Sequence, residues 1–109
     1  MNGGYIRAAT SPTVTVTSPI LTVSASSVTA GQPVTVTLTN GTGGPGDWLA
    51  LAVVGSPNTS YVQWTYVGAG VTTRTWTVTP ATAGNYEFRL FFNNGYTRGA
   101  TSPTVSVGP

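Results

Sequence analysis

Ala83-Gly84-Asn85-Tyr86-Glu87-Phe88-Arg89-Leu90-Phe91-Phe92-Asn93-Asn94-Gly95-Tyr96, running on to Thr104-Val105-Ser106-Val107, decides the fold. Tyr86, Phe88, Leu90 and Phe92 fall on one face of an extended chain, and Glu87, Arg89 and Phe91 on the other. That is the period of a half-buried strand. Asn94-Gly95 supplies the left-handed backbone a hairpin turn needs, so the stretch predicts two antiparallel strands joined tightly. Its second half recurs at the start of the chain. Gly4-Tyr5-Ile6-Arg7-Ala8-Ala9-Thr10-Ser11-Pro12-Thr13-Val14-Thr15-Val16 matches Gly95-Tyr96-Thr97-Arg98-Gly99-Ala100-Thr101-Ser102-Pro103-Thr104-Val105-Ser106-Val107. Tyr5 aligns with Tyr96 and Val16 with Val107, a constant offset of 91 residues, as expected for one unit of an array.

Working upstream, every other segment reads as a short strand between turn signals. Residues 33–39 alternate strictly, with Val34, Val36 and Leu38 inward. Asn40-Gly41-Thr42-Gly43-Gly44-Pro45-Gly46 is a loop, and residues 47–54 form a nearly continuous apolar strand expected at a sandwich centre. Residues 20–24, 61–67 and 72–79 are strands too, the last with Trp76 and Val78 inward. With 86–92 and 104–107 this makes seven strands, no helical periodicity, and turn signals every ten or so residues. The reading is an all-β, antiparallel sandwich in two sheets. Tyr86 follows Gly84 at the head of its strand, the position of a tyrosine corner in an immunoglobulin-like sandwich. Its hydroxyl is expected on backbone around residues 80–84.

Residues 1–18 are expected to lie outside the sandwich as a partial repeat or linker arm, with 13–17 extended along an edge; residues 19–109 are the domain. A chain of 109 residues holds one domain with an ordinary core. Met1-Asn2-Gly3-Gly4 lacks the basic start and apolar stretch of a signal peptide, and Met1 reads as an initiator set before a cut repeat. The apolar run from Trp48 to Val54 is too short to span a membrane.

Charged residues are only 6% of the chain, four Arg against Asp47 and Glu87, giving a net charge of +2. This is a scarcity of titratable groups and no basic patch, so nucleic-acid binding is not expected. Without Cys or His there is neither a nucleophile–base pair nor a zinc site, and no catalytic residue, metal or cofactor is expected. Asp47 and Glu87 could in principle form a glycosidase pair, or Asp47 could hold calcium with nearby carbonyls. The plainer roles are a turn cap for Asp47 and an ion pair with Arg89 for Glu87. Asn40-Gly41-Thr42 and Asn58-Thr59-Ser60 fit the glycosylation pattern, which a Thr-rich chain produces by chance.

The aromatic residues are more informative, with 3 Trp and 5 Tyr among so few charges. Trp48 and Trp76 are expected in the core. Tyr61, Trp64, Tyr66, Tyr96 and Phe91 remain on strand faces open to solvent. Trp64 and Tyr66 share one face of their strand, roughly 7 Å apart, and Tyr61 and Gln63 share the other. Rings in a row suit the C–H faces of pyranose sugars, in the way bases stack on aromatics. Gln63, Glu87, Arg89, Asn93 and Asn94 could then hold hydroxyls. The same two rings could equally cover one end of the sandwich, and the residues alone leave both readings open.

Asp47-Trp48-Leu49-Ala50-Leu51, Trp64-Thr65-Tyr66-Val67, Gly84-Asn85-Tyr86-Glu87-Phe88-Arg89-Leu90 and Asn94-Gly95-Tyr96 together resemble the bacterial immunoglobulin-like modules appended to secreted hydrolases. Among these the chain is similar to carbohydrate-binding modules of plant-cell-wall hydrolases, family 81 in particular. The resemblance covers most of residues 20–107. It implies a secreted, non-catalytic module that binds β-1,4-linked or mixed-linkage glucan, such as cellulose or xyloglucan chains, for an appended glycoside hydrolase. It also implies a planar aromatic surface, which falls here on Trp64, Tyr66 and Tyr61, with Gln63, Glu87, Arg89 and Tyr96 beside it. The 91-residue repeat supports a second reading, a spacer or adhesion unit in a tandem surface protein.

Overall fold

The computed structural model describes residues 18–109; the expectations for the arm fall on residues 1–17 and lie outside the described residues. Nine strands follow in order: β1 (Ile20–Val23), β2 (Ser27–Thr29), β3 (Val34–Thr39), β4 (Trp48–Val53), β5 (Gln63–Tyr66), β6 (Arg74–Val78), β7 (Gly84–Phe92), β8 (Thr97–Thr101) and β9 (Val105–Gly108). No helix occurs among the described residues. The smaller sheet runs β1-β3-β6, antiparallel throughout. The larger runs β2-β9-β7-β4-β5, with β8 also paired to β7. In immunoglobulin terms β1, β3 and β6 take places A, B and E, and β9, β7, β4 and β5 take G, F, C and C′. The fold is the expected all-β, immunoglobulin-like sandwich.

Its core lies where the inward residues of both sheets meet. Leu21, Val34, Val36, Leu38 and Val78 come from the smaller sheet, and Leu49, Leu51, Tyr86, Phe88, Leu90, Val105 and Val107 from the larger. The alternation in β3 and β7 predicts these faces correctly. Trp76 is half-buried at the core margin, its ring 5.8 Å from Phe88. Trp48 is buried as expected of a core residue, but in a second, smaller cluster. It is buried on the opposite side of the larger sheet, with Ala50 and Phe91.

Three further departures have local causes. β2 has no hydrophobic alternation to announce it; it forms because the chain crosses between sheets after β1 and lies parallel to β9, Val28 beside Val107. The terminal strand, expected only at 104–107, begins at Thr97 and breaks at Ser102-Pro103. Across the break the Ser102 N–H donates to the Phe88 carbonyl at 2.8 Å, and the Phe88 N–H donates to Ser102 Oγ at 2.8 Å. The ladder of β7 is therefore satisfied beside a proline that has no N–H. Finally, the left-handed residues of the hairpin are Asn93 and Asn94, both at φ 56°, not Asn94 and Gly95. The Gly95 N–H closes the turn on the Phe92 carbonyl at 2.9 Å. Two positive φ angles at the centre make a type I′ turn, and Asn tolerates that region better than other side chains.

Tyr86 is buried and its hydroxyl donates to the Thr82 carbonyl at 2.8 Å, the tyrosine corner in full. Tyr86→Phe leaves that carbonyl without its partner and is expected to lower the unfolding free energy by roughly 1–3 kcal/mol. Urea denaturation reads this directly. A change below about 0.5 kcal/mol, within the range of a neutral surface substitution, would show that the corner holds without the hydroxyl.

Candidate binding site: an aromatic cleft on the larger sheet

The alternation that sends Leu49 and Leu51 into the core sends Trp48, Ala50 and Ala52 to the other face. There Trp48 lies opposite Tyr66 of β5 and Phe91 of β7, and Ala50 lies opposite Trp64. Small residues beside large ones let the rings fall inward, and Trp48 becomes a floor. Phe91 lies beside it, centroids 4.7 Å apart and planes at 31°. Three rings then stand against it edge-on: Tyr61 at 5.2 Å and 69°, Trp64 at 6.0 Å and 82°, and Tyr96 at 5.8 Å and 79°. Edge-to-face contact is what ring quadrupoles favour. The Trp48 indole N–H donates to the Gly95 carbonyl at 3.0 Å, which fixes the floor in rotation.

The floor is 6% exposed, whereas Tyr61, Trp64, Tyr66 and Tyr96 are 39%, 48%, 48% and 45% exposed. Together with Asn94 they line an open cleft of about 160 Å³. The Tyr66 hydroxyl donates to Asn94 Oδ1 at 2.8 Å, linking β5 to the hairpin turn. The expected flat row of rings is thus corrected. Trp64 and Tyr66 meet at 5.0 Å and 89°, so the rings enclose a space and do not make a plane. The physical reason is that neighbours this close on one strand gain more from edge-to-face contact than from lying side by side.

Of the residues singled out in the sequence, Tyr61, Trp64, Tyr66 and Tyr96 come together in the cleft. Tyr61 had been expected on the face opposite Trp64. It precedes β5, where the chain is still turning, and its ring meets Trp48. Gln63 pairs with Leu51 and so points to the other side of the sheet from Trp64, away from the cleft.

Arg89 and Glu87 lie on the outer face but not as open hydroxyl binders. Arg89 has no exposure, and each of its three guanidinium nitrogens donates. Nε reaches Glu87 at 2.8 Å, Nη1 the Pro57 carbonyl at 3.0 Å, and Nη2 the carbonyls of Ser56 at 2.9 Å and Val53 at 3.3 Å. One guanidinium thereby draws residues 53–57 over the sheet and so sets where Tyr61 begins. Glu87 also accepts from Arg98 at 3.3 Å. Arg98 in turn donates to Asn58 Oδ1, and Asn58 Nδ2 donates to the Tyr96 carbonyl at 3.1 Å. The ion network therefore positions two walls of the cleft, Tyr61 and Tyr96.

Asp47 has the capping role expected of it. Buried at the head of β4, it accepts from the Thr42 hydroxyl, from the Gly44 N–H at 3.2 Å and from the Asn93 N–H at 3.4 Å. Glu87 lies opposite Ala52, five residues further along β4, which is about 17 Å of extended chain. The two carboxylates are well beyond the separations of roughly 5–9.5 Å at which a glycosidase pair works.

Sequence reasoning missed Trp48 as the floor and Asn58 and Arg98 as supports. The available signal for Trp48 was its phase, since it alternates with Leu49 and Leu51 and is followed on its own face only by alanines. For Asn58 no local signal exists. Compared with protein-family models, with curated proteins and with solved structures, the chain has no match in any of the three.

Proposed function

We propose that this protein is a secreted, non-catalytic glycan-binding module, and that its aromatic cleft takes a β-1,4-linked or mixed-linkage glucan chain for an appended glycoside hydrolase. One observation carries the reading: four half-exposed rings stand around a buried tryptophan floor. A soluble domain rarely leaves so much clustered aromatic surface open unless something covers it. Sugar C–H groups lie against ring faces, and Asn94 with the Tyr66 and Tyr96 hydroxyls offers donors and acceptors at the rim. Walls at right angles to the floor favour one separate chain over the flat face of a crystalline polymer.

The test is affinity electrophoresis in gels containing soluble β-glucans. Wild-type protein is expected to be retarded. Trp64→Ala, at an exposed wall, is expected to stay folded by circular dichroism and to bind roughly tenfold or more weakly, on the scale of about 1–3 kcal/mol per stacked ring. Unchanged retardation in the folded variant would remove Trp64 from the site. Wild-type migration indifferent to every glucan would instead favour the second reading, a spacer or adhesion unit, for which the 91-residue repeat is the observation.

A further inference from the structure

Tyr61 belongs to two hollows. It is a wall of the aromatic cleft, and it also lines a second open hollow of about 140 Å³ with Val53, Ser56, Ser60 and Val62. The two are nearly equal in size, the cleft being about 160 Å³. The valines of the second are uncovered, Val53 being 49% and Val62 54% exposed. Its shape is nevertheless fixed. Arg89 holds the carbonyls of Val53, Ser56 and Pro57 from beneath. The Ser60 N–H donates to the Pro57 carbonyl at 3.0 Å, and the Val62 N–H donates to the Leu51 carbonyl at 2.7 Å. A loop held in this way needs little ordering when a ligand arrives. Open apolar surface continuous with an aromatic cleft is surface for the same ligand to cover.

We propose that the two hollows are one binding site with Tyr61 between them, and that a β-glucan chain continues from the cleft across Tyr61 onto Val53 and Val62. This inference rests on the glucan reading of the cleft and adds to it a requirement for chain length. Tyr61 meets Trp48 edge-on, at 69°, so the floor does not consume its ring faces. Sugar C–H groups can lie against that ring and then against the valine methyls. Ser56 Oγ already donates to the Val53 carbonyl at 2.7 Å and still has lone pairs to accept with. Ser60 is exposed beside it. These two hydroxyls serve the far end of the chain as Asn94 serves the near end. No charged residue lines either hollow, so the whole path suits a neutral polymer.

The test is a nuclear magnetic resonance titration of the isotope-labelled protein with cellobiose and with cellohexaose, since amide shifts read both hollows at once. Cellobiose is expected to move the amides of Trp64, Asn94 and Tyr96. Cellohexaose should also move those of Ser60 and Val62, and should bind about tenfold or more tightly, the scale of one further stacked ring. Val62→Asp alters an exposed side chain and puts a charge in the second hollow. It is expected to leave cellobiose affinity unchanged and to lose most of the preference for cellohexaose. If neither sugar moves any amide, the glucan reading falls and this proposal falls with it. The extension alone is overturned if cellohexaose binds no more tightly than cellobiose and leaves Ser60 and Val62 unmoved. It is equally overturned if folded Val62→Asp keeps the full preference for the longer sugar. The wild-type comparison decides the matter by itself should that variant not fold.

Discussion

Replacing Arg89 by methionine is expected to lower the unfolding free energy by about 3–5 kcal/mol, the scale for removing one partner of a buried ion pair. Methionine keeps much of the apolar stem, so the loss reports the guanidinium. Glu87 retains Arg98, and the larger share of the effect comes from the loop: the Ser56 carbonyl loses its donor, while the carbonyls of Val53 and Pro57 keep only the bonds of their own turns, from Ser56 and from the Ser60 N–H. Residues 54–62 are then expected to become the first site of limited proteolysis. Glucan retention should fall with them, because Tyr61 is no longer held against Trp48. Arg89→Lys should recover little, since an ammonium cannot reproduce a fork that reaches three carbonyls and a carboxylate. A loss under about 1 kcal/mol, the range of an exposed pair, would show that the loop is held by its own turns.

Trp48→Ala is expected to lose about 3–5 kcal/mol as well, as for a buried aromatic cut to alanine. Phe91, Tyr61, Trp64 and Tyr96 all pack on that one ring. This outcome separates floor from wall. Trp64→Ala leaves stability within about 0.5 kcal/mol, as at most surface positions, and Trp48→Ala does not, although both weaken binding. Chemical denaturation of the two variants side by side makes the comparison. Equal stability losses would mean that the wall ring is structural too, and the cleft would then be a second small core.

The strands themselves were legible. Period-2 alternation named Val34, Val36, Leu38, Tyr86, Phe88 and Leu90 as core, and the corner at Tyr86 followed from its place after Gly84. The hairpin was legible to within one residue, because Asn and Gly both accept the left-handed region and sequence does not say which pair of the three uses it.

Alternation could not say what covers the outward face of β4 and β7. It did not say on which side of the larger sheet Trp48 is buried, left Arg89 between an ion pair with Glu87 and a ligand, and set the rings in a plane. Those properties depend on the partners that strand pairing and residues 54–62 bring from far along the chain: Trp64 opposite Ala50, Pro57 over Arg89, Asn58 on Tyr96. Sequence alone determined which residues share a face, because that follows from the backbone of each strand. Only the tertiary structure decided which of them are open and how their rings stand, because burial and ring angle are set by side chains tens of residues away.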